Sequence, residues 1–292
     1  MNAHDHKPVD HVTGTETTGH EWDGIRELNT PLPRWWLWSF YASIVFAIGY
    51  MVVYPAWPLI TGHTAGVIGW SSRGAVASDV AALQAARGDM TAQIDAADLA
   101  AIRTDPTLQA FAMAQGRTTF LDNCAGCHGA GGGGAKGYPN LNDDDWLWGG
   151  SLEAIETTIR HGIRSADPDT RITDMPAFGR DGLLERADIT AVARFVRSLS
   201  GQEVPDGTDL AAGAQVFADN CAACHGDDGK GNRDVGAPDL TDAIWLFGSD
   251  ESSIAAGVTN GRASVMPAWG GRFDDATVKS LVVYVHAFGG GE

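Results

Sequence analysis

The 292-residue chain is poor in cysteine; four are too few for a disulfide scaffold. It is also poor in positive charge, with 20 Lys and Arg against 37 Asp and Glu and a formal net charge of −17. A nucleic-acid partner needs a basic face, so that class is excluded. An acidic surface attracts a basic partner over some distance instead. The 44% hydrophobic content excludes wholesale disorder. No convincing period-two alternation is present, so the predicted fold class is mainly α. The Gly-rich runs Gly129–Gly134 and Gly226–Gly231 lack the Gly-Lys-Ser/Thr ending of a phosphate loop.

Charge of either sign is missing altogether between Arg34 and Arg73. Within this gap Trp35 to Tyr54 is a continuous apolar run. Twenty residues of helix rise about 30 Å, enough to cross a hydrocarbon core. Trp35, Trp36 and Trp38 gather at one end, and Tyr50, Tyr54 and Trp57 at the other, as interfacial belts do. Pro55 and Pro58 end the helix. A cleaved signal peptide would be shorter and would follow fewer polar residues. A buried core helix would not need aromatics at both ends. The expectation is a single transmembrane helix over 35–55. Arg26 and Arg34 close before it place the polar segment 1–34 in the cytoplasm, with residues 1–20 expected to be disordered. Residues 56–106 read as a helical connector. Its Ala-rich stretches Ala75–Arg87 and Asp95–Arg103 are too polar for a core of their own and must lean on a neighbour.

The rest of the chain repeats itself. Gly116, Phe120, Cys124, Cys127 and His128 recur at the same spacing as Gly213, Phe217, Cys221, Cys224 and His225. Pro139-Asn140-Leu141 matches Pro238-Asp239-Leu240, and Trp146-Leu147 matches Trp245-Leu246. Met175-Pro176-Ala177-Phe178-Gly179 matches Met266-Pro267-Ala268-Trp269-Gly270. Each half closes with an apolar helix, one around Phe195 and one around Tyr284. Two units of this size make tandem domains, 107–200 and 207–291, joined by the linker Gly201–Gly207. Residues 201–292 are the most acidic third, with 14 Asp and Glu against 5 Lys and Arg.

C-x-x-C-H occurs twice. Two thiols at i and i+3 can each add to a vinyl group of one haem, and the adjacent His then lies under the iron. The reading is two covalently attached haem c groups, held by Cys124, Cys127 and His128 and by Cys221, Cys224 and His225. A four-Cys zinc site would not need a His after each pair. Thioredoxin-type disulfides would need a βαβ setting. After Met113 only Met175 and Met266 occur, each before Pro and each downstream of a haem motif. They are the candidate axial thioethers, soft ligands that raise a haem potential. His161 and His286 are the rivals. Each Met is expected to serve the His of its own half, His128 with Met175 and His225 with Met266. Gly116/Phe120 and Gly213/Phe217 are expected at helix crossings against Phe195 or Tyr284. Pro139 and Pro238 are expected to shape the loop beside each His, whose second ring nitrogen wants a carbonyl acceptor. Covalent haem supplies apolar volume that such small domains lack.

Residues 107–291 resemble two tandem class I cytochrome c domains. Asp23-Gly24-Ile25, Glu27-Leu28-Asn29 and Pro31 to Trp38, followed by Tyr54-Pro55-Ala56-Trp57-Pro58 and Gly69 to Gly74, narrow the match. Together they resemble the membrane-anchored dihaem subunit of cbb3-type cytochrome c oxidases. The resemblance implies a single-pass anchor in a bacterial inner membrane with periplasmic haems. It implies partners too: a haem-copper catalytic subunit, a monohaem cytochrome c subunit and a soluble, basic cytochrome c as donor. Oxygen reduction would belong to the catalytic subunit, and this chain would be no enzyme by itself. Some relatives have a second span, for which residues 1–34 are too polar. A dihaem subunit of a periplasmic dehydrogenase would use the same haem motifs without the segment before Trp35. A haem peroxidase needs an open distal site, which two Met-Pro matches disfavour. A haem sensor needs a signalling domain, for which no residues remain. The acidic final domain is expected to meet the donor first.

Overall fold

The computed structural model describes residues 8–289. The chain divides into two compact units, Met1–Ala85 and Ala86–Glu292.

In the first unit, β1 (Thr17–Trp22) and β2 (Ile25–Leu28) form an antiparallel hairpin. This corrects the disorder expected of 1–20 for its described part; residues 1–7 lie outside the described residues. The cause is local. Asp23 and Gly24 both take positive φ, 51° and 81°, the turn that matches strand twist. Arg26 Nε then meets Glu21 Oε2 at 2.6 Å across the pair. The helix α1 (Arg34–Val53) follows, and none of its residues is buried. It is long and apolar enough to span a membrane. It ends at Tyr54, which is extended ahead of Pro55. A short hairpin, β3 (Pro58–Leu59) with β4 (Gly62–His63), comes next. The helix α2 (Ser72–Ala96) leads into the second unit.

The second unit holds α3 (Leu99–Thr104), α4 (Pro106–Asn123), α5 (Ala125–His128), α6 (Leu152–His161), α7 (Arg186–Leu199), α8 (Leu210–Asn220), α9 (Ala222–His225), α10 (Glu251–Asn260) and α11 (Asp275–His286). Asp98, Asp105, Ser151, Asp209, Asp250 and Asp274 accept N–H bonds as side-chain caps. The connector leans as its composition requires. Ile94, Leu99 and Ile102 enter a core with α4, α6 and α11. Lys279 Nζ donates to the carbonyls of Asp95 and Ala97 at 2.6 and 2.8 Å.

The closing helices do not pack on their own halves. Phe120 on α4 meets Tyr284 of α11 at 5.6 Å between ring centroids, and Phe217 on α8 meets Phe195 of α7 at 5.5 Å. A Cβ on Gly116 would come within 2.3 Å of the Ser280 carbonyl oxygen, and one on Gly213 within 2.4 Å of that of Ala191. Glycine is what allows both crossings. One lobe is therefore α3, α4, α6 and α11, and the other is α7, α8 and α10. The pairing of closing helices with their own halves is corrected. The reason is combinatorial and entropic. The repeat gives α7 two equivalent partners, and the one joined to it by a short linker costs least to close. The remaining helix, α11, then takes α4, an exchange of like elements between repeats.

Candidate functional site

Each C-x-x-C-H segment is one helical turn that follows the end of α4 or α8. The glycine after each His, Gly129 at φ 76° and Gly226 at φ 79°, turns the chain back. Gly134 N–H then donates to the His128 carbonyl at 2.8 Å, and Gly231 N–H to that of His225 at 2.7 Å. The Gly-rich runs thus fold onto the histidine turn. Each ends by placing a proline carbonyl at the imidazole, His128 Nδ1 to Pro139 O and His225 Nδ1 to Pro238 O, both 3.1 Å. A bonded Nδ1 fixes the ring and leaves Nε2 for a metal. Burial lowers the pKa of both histidines, which favours the neutral, ligating form. The half-buried Cys124 and Cys221 thiols are pushed up to about 11 by burial, with Cys127 and Cys224 adding to the effect.

The cavity against His225 is lined by Cys221, Cys224, Phe217, Val192 and Val196, and its methionine is Met175, not Met266. Met266 packs instead in the core with Cys124, Ala125, Trp146 and Trp269. The placement expected for the two methionines is corrected, each lying away from the His of its own half: Met175 lines the cavity of His225, and Met266 packs in the core of the other lobe. The crossover is built from backbone. Met266 and Ile163 exchange both N–H···O bonds at 3.0 Å, as do Met175 and Arg262. Ile163 and Arg262 each follow the C-cap glycine of α6 or α10. Each methionine strand is thus stitched to the end of a helix of the opposite half.

These residues fit a haem. The walls of the His225 cavity are apolar, and Trp245 Nε1 on its edge is buried with no acceptor among the described residues. Arg164 and Arg262 line the same cavity. An orphaned donor in a cavity that Arg262 also lines suits the carboxylates of a haem, and the paired thiols suit its vinyl groups. His161 is engaged elsewhere, with Nδ1 at 3.0 Å from Asp167 Oδ1. His286 lies on α11 under the influence of Arg103 and Glu153. Sequence reasoning marked Trp245 only as the repeat match of Trp146 and did not single out Gly162, Gly261 or Arg164. The matching Gly after each amphipathic helix, His161-Gly162 and Asn260-Gly261, is a C-cap signal that marks the two glycines but not the strand they hold.

Comparison with known proteins agrees with this architecture. Residues 14–61 match the family described as the N-terminal domain of cytochrome oxidase-cbb3, FixP. Residues 111–196 and 208–285 each match cytochrome c oxidase, cbb3-type, subunit III. The chain is 60% identical over 288 residues to the cbb3-type cytochrome c oxidase subunit FixP of Bradyrhizobium sp. (strain ORS 278), covering 99% of both. It is 53% identical over 277 residues to the subunit CcoP of Cereibacter sphaeroides, covering 94% of this chain and 95% of that one. A membrane-anchoring helix followed by two cytochrome c repeats is what this likeness extends over, and the chain belongs to the FixP/CcoP family of electron-transfer subunits of cbb3-type cytochrome c oxidases.

Proposed function

We propose that this chain carries two covalent c-type haems with crossed axial ligands. Cys124, Cys127, His128 and Met266 would hold one; Cys221, Cys224, His225 and Met175 would hold the other. Bound there, the haem irons supply one-electron chemistry between ferrous and ferric states. The chain's own residues set its terms. His128 and His225 are oriented by proline carbonyls; the Met175 and Met266 thioethers would favour the ferrous state of a bound haem, and the apolar walls would keep water from it. The observation that carries the reading is the cavity in which Cys221, Cys224 and His225 meet Met175.

The expected path runs from a soluble, basic cytochrome c to a haem-copper catalytic subunit beside a monohaem cytochrome c subunit. Oxygen reduction would belong to the catalytic subunit. The N-terminus would be cytoplasmic and the cytochrome c domains 107–200 and 207–291 periplasmic in a bacterial inner membrane, since Arg26 and Arg34 flank the near end of α1. Purification from membrane tests the assignment through the haem types recovered. Haem b and copper should accompany c-type haem. A c-type chain that copurifies with a dehydrogenase and no copper would favour the dehydrogenase-subunit alternative.

A further inference from the structure

Arg164 touches both methionine strands at once. Its Nε donates to the Ser264 carbonyl at 2.7 Å, two residues before Met266. Its Nη1 donates to the Thr173 carbonyl, two residues before Met175. Its own N–H donates to the Arg171 carbonyl at 2.7 Å, closing a loop braced from inside. Ser165 Oγ donates to the His161 carbonyl at 2.8 Å, and Asp167 N–H to Ser165 Oγ at 3.1 Å.

The repeat has no second copy of this tie. The position matching Arg164 in the other half is Ala263, whose methyl group has no hydrogen-bond donor to offer. The backbone at Arg164 is also unusual. Its φ is +49°, and the only other non-glycine with positive φ among the described residues is Asp23 in the β1–β2 turn. Asp tolerates that region, whereas a long side chain gains nothing from it, and such a conformation persists where the surroundings over-determine it. Glycine would hold the same turn without strain. What Arg adds is a rigid fork of donors that serves two acceptors in different directions, which a single ammonium cannot do in fixed geometry.

The geometry points to Arg164 as a positioning residue for both axial methionines: one guanidinium sets the separation of the Met175 and Met266 strands and so couples the ligation of the two haems. This rests on the reading of those methionines as ligands. The test uses the full-length, haem-loaded chain in detergent with Arg164→Gly, which removes the tie and keeps the turn. Added imidazole competes with each methionine for ferric iron, and the two haems are followed by their separate midpoint potentials and by thioether-to-iron absorption. A loosened strand spends more time detached, so the apparent imidazole affinity should rise about tenfold at both haems. Both potentials should fall together. Arg164→Lys, which keeps the charge without the fork, should give a smaller rise at both. Parent-like behaviour of Arg164→Gly, or a change confined to one haem, overturns the assignment. Should Arg164→Gly load no haem, parent-like imidazole affinity in Arg164→Lys overturns it equally. Absence of thioether-to-iron absorption from the parent chain would instead overturn the methionine ligation beneath it.

Discussion

Gly162 and Met266 meet backbone to backbone: a Cβ on Gly162 would lie 2.3 Å from the Met266 carbonyl oxygen, and the glycine sits at φ +68°. Gly261 and Met175 repeat the relationship at 2.4 Å and φ +71°. Each half therefore lends a helix-capping glycine to the methionine strand of the other. Alanine at either site would be both strained and in collision, a destabilisation of roughly 1–3 kcal/mol. Gly162→Ala should weaken thioether absorption of the haem held by Cys124 and Cys127 and spare the other. Gly261→Ala should do the reverse. The magnetic circular dichroism of each variant in the charge-transfer region checks this, and an effect on the wrong haem would refute the crossed arrangement.

Covalent attachment gives a simpler expectation. Thioether bonds survive unfolding, so the denatured chain should retain two haems by peroxidase staining and pyridine haemochrome. Replacing Cys124 and Cys127 with Ala should leave one. That single-haem chain then separates the two pairings. Met175→His in it should lower the remaining potential, because imidazole stabilises ferric iron more than a thioether does. Met266→His should leave that potential nearly unchanged. The opposite pattern would restore ligation within each half.

The contrast between what was legible and what was not follows from this repeat. Cys124 to His128, Cys221 to His225 and the two Met-Pro segments are short motifs, so spacing alone marks them as candidates. The anchor helix is equally local, since an uncharged run bounded by aromatics has few other uses. Crossing is invisible for the opposite reason. Gly116 and Phe120 offer α7 the same surface as Gly213 and Phe217, and only chain connectivity decides between them. The β1–β2 hairpin was not read from the sequence: Asp23-Gly24 is a turn dipeptide, but its flanks lack clear alternation, and Trp22 and Ile25, its non-polar pair, are both exposed. Arg164 carries no motif at all. Its role arises from a contact between residues 100 positions apart.

Asp145 offers a test by pH. It lies in the loop between α5 and α6 and lines the cavity that holds His225. Burial first, then Asp242, Asp143 and Asp239, push its carboxyl up to about 6 against the pull of Arg233. A carboxyl with a folded pKa above its unfolded value binds its proton more firmly in the folded chain. The folded state is then favoured at low pH, and that advantage is lost as pH rises from about 4 to about 6. Asp145→Asn should leave stability at pH 4 nearly unchanged and raise it at pH 8 by of order 1 kcal/mol, after discounting for the exposure of this half-buried group. Urea unfolding of the haem-loaded chain at the two pH values measures it. A variant less stable than the parent at pH 8 would contradict the argument.

The crossed fold also bears on where the proposed basic donor would land. The final third of the sequence holds 14 acidic residues against 5 basic ones, yet these residues divide between the lobes. Asp227 and Asp228 lie exposed just past His225. Asp274 and Asp275 begin α11, in the lobe of His128, where Asp274 caps the helix and Asp275 meets Arg160 at 2.6 Å. Asp144 and Asp145, in the loop between α5 and α6, line one cavity with Asp239 and Asp242 from the loop after α9. Charge counted by sequence segment is therefore not charge counted by haem. Surface charge acts mainly on encounter rate and orientation. If the His225 lobe receives the donor, Asp227→Asn with Asp228→Asn should slow electron uptake at low salt by a few-fold and flatten its salt dependence. Asp122→Asn with Glu153→Gln, an equal neutralisation on exposed positions of the other lobe, should change uptake much less. Screening beyond roughly 8 Å at physiological ionic strength makes the difference largest in dilute buffer. Stopped-flow reduction by a basic cytochrome c across a salt series decides it; equal effects of the two pairs, or uptake indifferent to salt, would remove the His225 lobe as the landing site.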